Sequence, residues 1–169
     1  FATQVMGFPP YDGVILSSAA RSWETYRHLK YNAYIPGLLD VHFPYAGGAH
    51  NMIIIKMKKT SPWGPWQALQ AAAGTDPGLG KITIVVDEDI NIEDADEVNW
   101  ALAFRMQPHK DMRIITQRVP RLDPSGFRPG APEEERKFPQ PSGSSAVLID
   151  ATRKWDYAPV GLPDKKYME

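Results

Sequence analysis

The stretch ITIVVDEDINIEDADEVNWALAFRMQP, residues 82–108, decides the fold. Its first five residues show no alternation of polar and apolar side chains, which is typical of a strand covered on both faces in a parallel or mixed sheet. Asp94, with Glu97 three residues later, resembles a capping box, and Pro108 is expected to end the helix that follows. The stretch therefore predicts a buried strand, an acidic turn and a helix in succession.

The rest of the chain alternates between strand and helix patterns in the same way. Helices are predicted at residues 18–31 and 62–74, and strands at residues 14–18, 38–44, 52–58, 112–119 and 146–152. The sum is an α/β domain with one mixed sheet and flanking helices. Residues 120–145 predict a long proline-rich loop, and residues 154–169 an extended C-terminal tail.

The two helices predicted at residues 18–31 and 62–74 lead to expectations about individual residues. In the first helix, Trp23 and Tyr26 recur at helical spacing, so we expect both to face the core. In the second, Pro65 stands where a first helical turn tolerates proline, and Gly74 stands where a C-cap belongs.

Composition excludes several classes of protein. The length of 169 residues fits one domain, and a net charge of −1 gives no electrostatic footprint for nucleic acid. No apolar run approaches the roughly 20 residues of a membrane helix. The chain has no cysteine, which excludes disulfides and suits a cytoplasmic location. Because it begins with Phe1, we expect a fragment, a processed product or a separate subunit of something larger.

The acidic cluster Asp87, Glu88 and Asp89 allows two interpretations. Carboxylates beyond the end of a sheet strand suit Mg²⁺ binding or phosphoryl transfer. Polar residues must also end any buried strand, and acidic ones suit the start of the next helix. Arg105, at the end of the predicted helix, can bind either the carbonyls of its last turn or a carboxylate of this cluster.

Other chemical motifs are weak. The four histidines form no H-x-x-x-H pair, and nucleophile-elbow, P-loop and dinucleotide fingerprints do not occur. The segment DPGLGK, residues 76–81, has two glycines whose amides could approach a phosphate, but it precedes a strand rather than a helix. The residues by themselves do not supply a reaction.

Several blocks together resemble the C-terminal part of the UbiD-type decarboxylases, a family that depends on prenylated FMN. GFPPYD (7–12), IIIKMKK (53–59), LDPS (122–125) and IDATRKW (149–155) match the family's segments. VVDEDINIEDADEVNWALAFRMQPHKD (85–111) is similar to its acidic turn, helix and R-x-x-P-x-x-D pattern. The resemblance implies that residues 1–13 end a preceding barrel domain or linker, and that residues 14–169 form a C-terminal domain for oligomerisation and pocket closure.

The same resemblance implies a reaction, which is the reversible non-oxidative decarboxylation of an aromatic or α,β-unsaturated acid. The family's prenylated FMN, divalent metal and potassium are bound mainly by flavin-binding and barrel domains, whose catalytic motifs are not found in these residues. We therefore expect the chain alone to be inactive, and to hold no catalytic residue, metal or cofactor by itself. Leu122 and Pro124 correspond to positions that line the substrate pocket, and Lys81 to a lysine that approaches the cofactor.

Two alternatives stay open at this stage. One is a stand-alone protein that carries out Mg²⁺-dependent phosphoryl transfer at Asp87 or Asp89. The other is a non-catalytic assembly module whose aromatic residues Trp63, Trp66 and Trp155 serve an interface. The resemblance further implies a homo-oligomer, while the net charge and the short apolar runs predict neither nucleic-acid binding nor a membrane span.

Overall fold

A computed structural model describes residues 12–76, 78–118, 125 and 144–156. The helices in these ranges are α1 (Asp12–Arg27), α2 (Gly64–Thr75), α3 (Ala95–Arg105) and the short α4 (Pro108–Asp111), and α1 continues into a π-helical turn at His28–Asn32. The strands are β1 (Leu38–His42), β2 (Met52–Met57), β3 (Ile82–Asp87), β4 (Met112–Arg118) and β5 (Ser144–Ala151).

Within the described ranges, the five strands form one mixed sheet in the order β1-β2-β3-β5-β4. The three inner strands are parallel, and the edge strands β1 and β4 each pair antiparallel with their neighbour. The predicted α/β class is confirmed. The predicted strands at 38–44, 52–58, 82–86, 112–119 and 146–152 all correspond to strands of this sheet.

The central strand β3 is buried on both sides because helices cover both faces of the sheet. One apolar cluster joins one face to α1 and α2, and includes Leu29, Ile53, Ile55, Leu69 and Val85. The other joins the opposite face to α3, and includes Ile54, Ile84, Val86, Val98 and Ala101. Alternate residues of β3 thus enter different cores, which explains the absence of polar alternation in ITIVV.

The start of α3 explains how the chain leaves β3. The Asp94 carboxylate caps the helix by accepting from the backbone amides of Asp96, at 2.8 Å, and Glu97, at 3.4 Å. Glu97 reaches back to the amide of Asn91 at 2.6 Å, rather than to that of Asp94. The predicted N-cap at Asp94 is confirmed, although the return hydrogen bond from Glu97 reaches three residues further back than in a capping box. The acidic residues here therefore stabilise the start of the helix.

Three sequence expectations are wrong. Residues 14–18 belong to α1 rather than to a strand. Trp23 is 60% exposed and does not face the core, whereas Tyr26 packs partly against it. Gly74 is not the C-cap, because α2 continues to Thr75 and its C-cap is Asp76. The proline-rich loop and the tail lie largely outside the described residues.

Candidate functional site

The carboxyl ends of the parallel strands bring distant charged residues together. Lys59 follows β2, Asp87 ends β3, and Arg153 follows β5. Because parallel strands end at the same edge of a sheet, these side chains meet although they are far apart in the sequence. Asp89, in the turn after β3, joins the same group.

Arg105 is the centre of this charged group. It is only 4% exposed, and its guanidinium donates to Asp89 twice, at 2.8 and 2.7 Å, and to Asp87 at 2.9 Å. The guanidinium also lies 5.0 Å from the ring centroid of Trp100. Its Nε is buried and has no hydrogen-bond partner among the described residues. A double donor fork of this kind fixes both position and orientation.

Arg153 adds a second cation to the same carboxylates. Its backbone amide donates to Asp87 at 2.7 Å, and its side chain forms an ion pair with Asp89. The hydrogen bonds from Arg105, together with those from Arg153, hold the pKa of Asp89 far below its ordinary range, although partial burial opposes this. The pKa of Arg105 is raised in turn, mainly by Asp89.

These contacts decide between the two interpretations of the acidic cluster. Asp87 and Asp89 already face two guanidinium groups, so a divalent cation placed there would meet strong repulsion from like charge. Among the described residues, no group of three or more His, Asp or Glu side chains could hold a metal. The arrangement argues against the magnesium alternative and confirms that Arg105 binds the acidic turn.

The segment after β5 is fastened at the same edge. Lys59 Nζ donates to the Arg153 carbonyl at 2.8 Å and to Thr152 Oγ1 at 3.3 Å. Lys154 pairs with Asp150 at 2.9 Å and with Asp111 at 3.3 Å. Sequence reasoning assigned no role to Lys59 or Arg153, and their only signal was a basic residue shortly after a buried strand. This edge is therefore a structural junction of β2, β3, β5 and α3.

Lys81 lies at the opposite, amino edge of the sheet, directly before β3. Its ammonium donates to Ser125 Oγ at 2.5 Å, across 44 positions of the sequence. Gly80, the preceding residue, has a φ of +67°, and its amide donates to the His50 carbonyl at 2.8 Å. Leu122 and Pro124 lie outside the described residues, but Ser125 immediately follows Pro124 in the chain. An ammonium and a hydroxyl together can bind a phosphate or a carboxylate.

The histidines do not form a site in the described part of the chain. His50 is buried, and its Nδ1 lies 2.5 Å from the Gly48 carbonyl. His42 is half-buried on β1, where burial lowers its pKa against the opposing effect of Glu93 and Asp40. No helix of the described residues has the length and apolar character that crossing a membrane requires.

The aromatic residues of the proposed assembly module divide into two groups. Trp63 and Trp155 are 72% and 66% exposed. Trp66 packs partly against the core, and the Arg113 guanidinium lies 4.0 Å from its ring centroid. Trp66 is therefore already covered, whereas the other two remain candidates for an interface.

Comparison with known proteins gives a family match over most of the chain. Residues 14–151 match the family described as the 3-octaprenyl-4-hydroxybenzoate carboxy-lyase C-terminal domain, UbiD_C. An uncharacterised protein of Archaeoglobus fulgidus is 33% identical over 122 residues, which cover 71% of this chain and 23% of that protein. One from Aeropyrum pernix is 30% identical, covering 89% of this chain and 28% of its own length.

Solved structures of two decarboxylases and of one UbiD-class enzyme share the fold. The apo 3,4-dihydroxybenzoic acid decarboxylase AroY of Klebsiella pneumoniae has a TM-score of 0.71 and 27% identity, covering 92% of this chain and 33% of its own. The open form of Sedimentibacter hydroxybenzoicus vanillic acid decarboxylase with truncated ShVdcD has a TM-score of 0.73 and 26% identity, covering 96% of this chain and 33% of its own. The UbiD-class enzyme HmfF of Pelotomaculum thermopropionicum, in complex with FMN, has a TM-score of 0.64 and 28% identity, covering 92% and 29%. The chain thus spans about a quarter to a third of these relatives.

Proposed function

The chain belongs to the family of UbiD-type carboxy-lyase C-terminal domains, and from this premise we propose that it is one part of a larger decarboxylase. The observation that carries the proposal is the match over residues 14–151, joined to the fold shared with two aromatic-acid decarboxylases. The reaction we propose is reversible, non-oxidative decarboxylation of an aromatic or α,β-unsaturated carboxylic acid. Residues 1–13 would end a barrel domain or linker, and residues 14–169 would form the C-terminal domain.

The proposed cofactor is prenylated FMN, held with a divalent metal and potassium mainly by polypeptide outside this chain. The FMN complex of HmfF supports a flavin in the complete enzyme. When bound, the modified flavin would bond covalently to the substrate and so carry the difficult step of decarboxylation. The donor set at the amino edge fits an anionic group of such a cofactor, because Lys81 carries a positive charge and Ser125 a hydroxyl.

We assign Lys81, Leu122 and Pro124 to the cavity between this domain and the rest of the enzyme. Lys81 would place its positive charge beside the cofactor. Leu122 and Pro124 would cover the substrate's apolar body and exclude water. None of these residues exchanges a proton with the substrate in this scheme, so the domain's contribution is closure of the pocket. We place the enzyme in the cytoplasm, a location that a chain without cysteine suits.

A second candidate function is a non-catalytic assembly module. The observation that favours it is the exposure of Trp63 and Trp155, which suits a homo-oligomer interface. The two candidates are separable, because a pure assembly role predicts that Lys81 is dispensable for turnover.

The proposed cofactor contact is tested in the full-length polypeptide loaded with prenylated FMN. We expect Lys81→Met to lower kcat/KM at least tenfold and to weaken retention of the flavin, measured by absorbance after gel filtration. The matched control is Lys110→Met, an exposed lysine of α4, which should leave both values unchanged. Wild-type retention and turnover in Lys81→Met would overturn the assignment.

The proposed pocket is tested separately with Leu122→Trp. We expect this variant to lose decarboxylation while its circular dichroism spectrum and oligomeric state stay those of the wild type, because the indole would fill the space of the substrate. Unchanged kinetics for every substrate tried would remove Leu122 from the pocket.

A further inference from the structure

Helix α1 has its polarity reversed relative to an ordinary surface helix. Its inward face carries Ser18 and Thr25, each only 3% exposed. On its outward face Leu16 is 73% exposed and Trp23 60%, and Tyr31, in the π-helical turn that follows, is 60% exposed. A helix at a protein surface normally turns apolar residues inward and polar ones outward. The outer side of α1 therefore carries large apolar side chains of the kind that a surface helix normally buries.

Hydrogen bonds fix α1 in this orientation. Ser18 Oγ donates to the Phe43 carbonyl at 2.5 Å, and the Phe43 amide donates to Ser22 Oγ at 3.1 Å. Arg21 donates to the Ala49 carbonyl at 2.7 Å. Rotation of α1 to bury Trp23 would break all three contacts and leave buried backbone groups without partners, which is costly. Polar residues of α1 thus help to hold it to the domain in this orientation.

Five exposed residues, four of them apolar, form one continuous stripe along α1 and the turn that follows it. Leu16, Ala20, Trp23, Arg27 and Tyr31 follow one another at intervals of four, three, four and four residues, and all five are exposed. Trp23 stacks on Tyr26 with ring centroids 6.0 Å apart and an interplanar angle of 21°. Tryptophan, tyrosine and arginine are the residues that dominate protein interfaces energetically. We call these five residues the α1 stripe.

We propose that the α1 stripe packs against the polypeptide that precedes this domain in the full-length protein, within the same chain. The inference rests on the proposed function, in which further domains precede this one. Family relatives are about three times as long as this chain, and the matched family is described as a C-terminal domain, so their remaining polypeptide lies largely ahead of it. The stripe starts in the second turn of the first described helix, where a preceding domain would be tethered at high effective concentration.

The extent of the stripe favours this occupant over a second copy of the chain. Leu16, Trp23 and Tyr31 together expose on the order of 400 Å², whereas a stable dimer interface needs about 800 Å² from each partner. A covalently joined neighbour needs less area, because the translational entropy of association is already lost. The surface that covers the stripe should be apolar, with an acidic group opposite Arg27.

The test is photo-crosslinking in the full-length protein, with benzoylphenylalanine in place of Trp23. The protein is prepared from an equal mixture of unlabelled and ¹⁵N-labelled chains that have been unfolded and refolded together. We expect crosslinked peptides that join position 23 to a segment ahead of Phe1 and that carry a single isotope. Pairs of mixed isotope would identify a second copy as the occupant and overturn the proposal.

Further outcomes are equally decisive. Crosslinks confined to residues 1–169 of the same chain, or a yield no greater than that of benzoylphenylalanine at exposed Lys110, would also overturn it. Decarboxylation by the unmodified protein is measured in parallel. An active enzyme without the expected crosslink refutes only the α1 interface, whereas the expected crosslink in an inactive protein refutes only the proposed function.

Discussion

Arg105 and Asp89 form a doubly hydrogen-bonded ion pair, with N–O distances of 2.8 and 2.7 Å, which fastens the end of α3 to the turn after β3. Asp87 and Arg153 extend the pair to the ends of two parallel strands. The acidic turn therefore serves to join elements of the sheet edge. Catalytic chemistry, in the proposed enzyme, must be sought elsewhere.

The first prediction concerns the buried cation. Arg105→Met should lower the free energy of unfolding by about 3–5 kcal/mol, because it leaves the Asp87 carboxylate buried without its cation. Arg105→Lys should lose less, since it keeps the charge but not the donor fork. Urea denaturation followed by far-ultraviolet circular dichroism measures both values.

Arg153→Met provides the matched control. The Arg153 side chain is 48% exposed, so its removal should lower the free energy of unfolding by less than about 1 kcal/mol. The hydrogen bond from the backbone amide of residue 153 to Asp87 persists in the variant. If both variants lost the same free energy of unfolding, the buried contacts of Arg105 would be no more stabilising than the exposed ion pair of Arg153.

The second prediction is a dependence of stability on pH. Because the pKa of Asp89 is lower in the folded state than in the unfolded chain, its contribution is complete above the unfolded value of about pH 4 and is lost as the pH falls through the folded value. At neutral pH the free energy of unfolding of the wild type should exceed that of Asp89→Asn by roughly 1 kcal/mol. The difference is modest because the Asp89 side chain is 38% exposed. Denaturation between pH 7 and pH 3 tests this. A gap that widens on acidification would contradict the assignment.

The third prediction compares two glycines. Gly37 has a φ of +72°, and a Cβ there would lie 2.1 Å from the Lys58 carbonyl oxygen. Gly37→Ala should therefore destabilise the domain by more than about 2 kcal/mol. Gly74 lies within α2, and a Cβ added there would meet no atom within 4 Å, so Gly74→Ala should stabilise the domain by up to roughly 1 kcal/mol. Thermal denaturation of the two variants should show Tm shifts of opposite sign, and shifts of the same sign would refute the comparison.

The central strand β3 and the start of α3 were predictable from the sequence, because burial and helix capping determine which residue types occur there. ITIVV lacks alternation since helices cover both faces of β3, and Asp94 precedes α3 as a cap that the helix terminus requires. The pairing of Arg105 with the acidic turn was foreseen as one of two options. The choice between them depended on three-dimensional proximity, which a single sequence does not contain.

The first helix was not predictable in the same way. A short apolar run at residues 14–16 is compatible with a strand or a helix. Trp23 was expected inside because hydrophobicity usually indicates the buried face, whereas the buried face of α1 carries Thr25 and the hydrogen-bonded Ser18. The contacts of Lys59 with Arg153, and of Lys81 with Ser125, join residues 94 and 44 positions apart, and no local pattern encodes such distances.

The central claim is that this chain is one part of a larger carboxy-lyase, and the release of CO₂ tests it most directly. Release is measured for two preparations supplied with prenylated FMN, a divalent metal and potassium, namely the full-length polypeptide and the isolated 169 residues, each with a panel of aromatic and α,β-unsaturated acids. We predict release by the full-length polypeptide and none by the isolated chain. Release by the isolated chain, or none by the full-length polypeptide with any acid of the panel, would contradict the account.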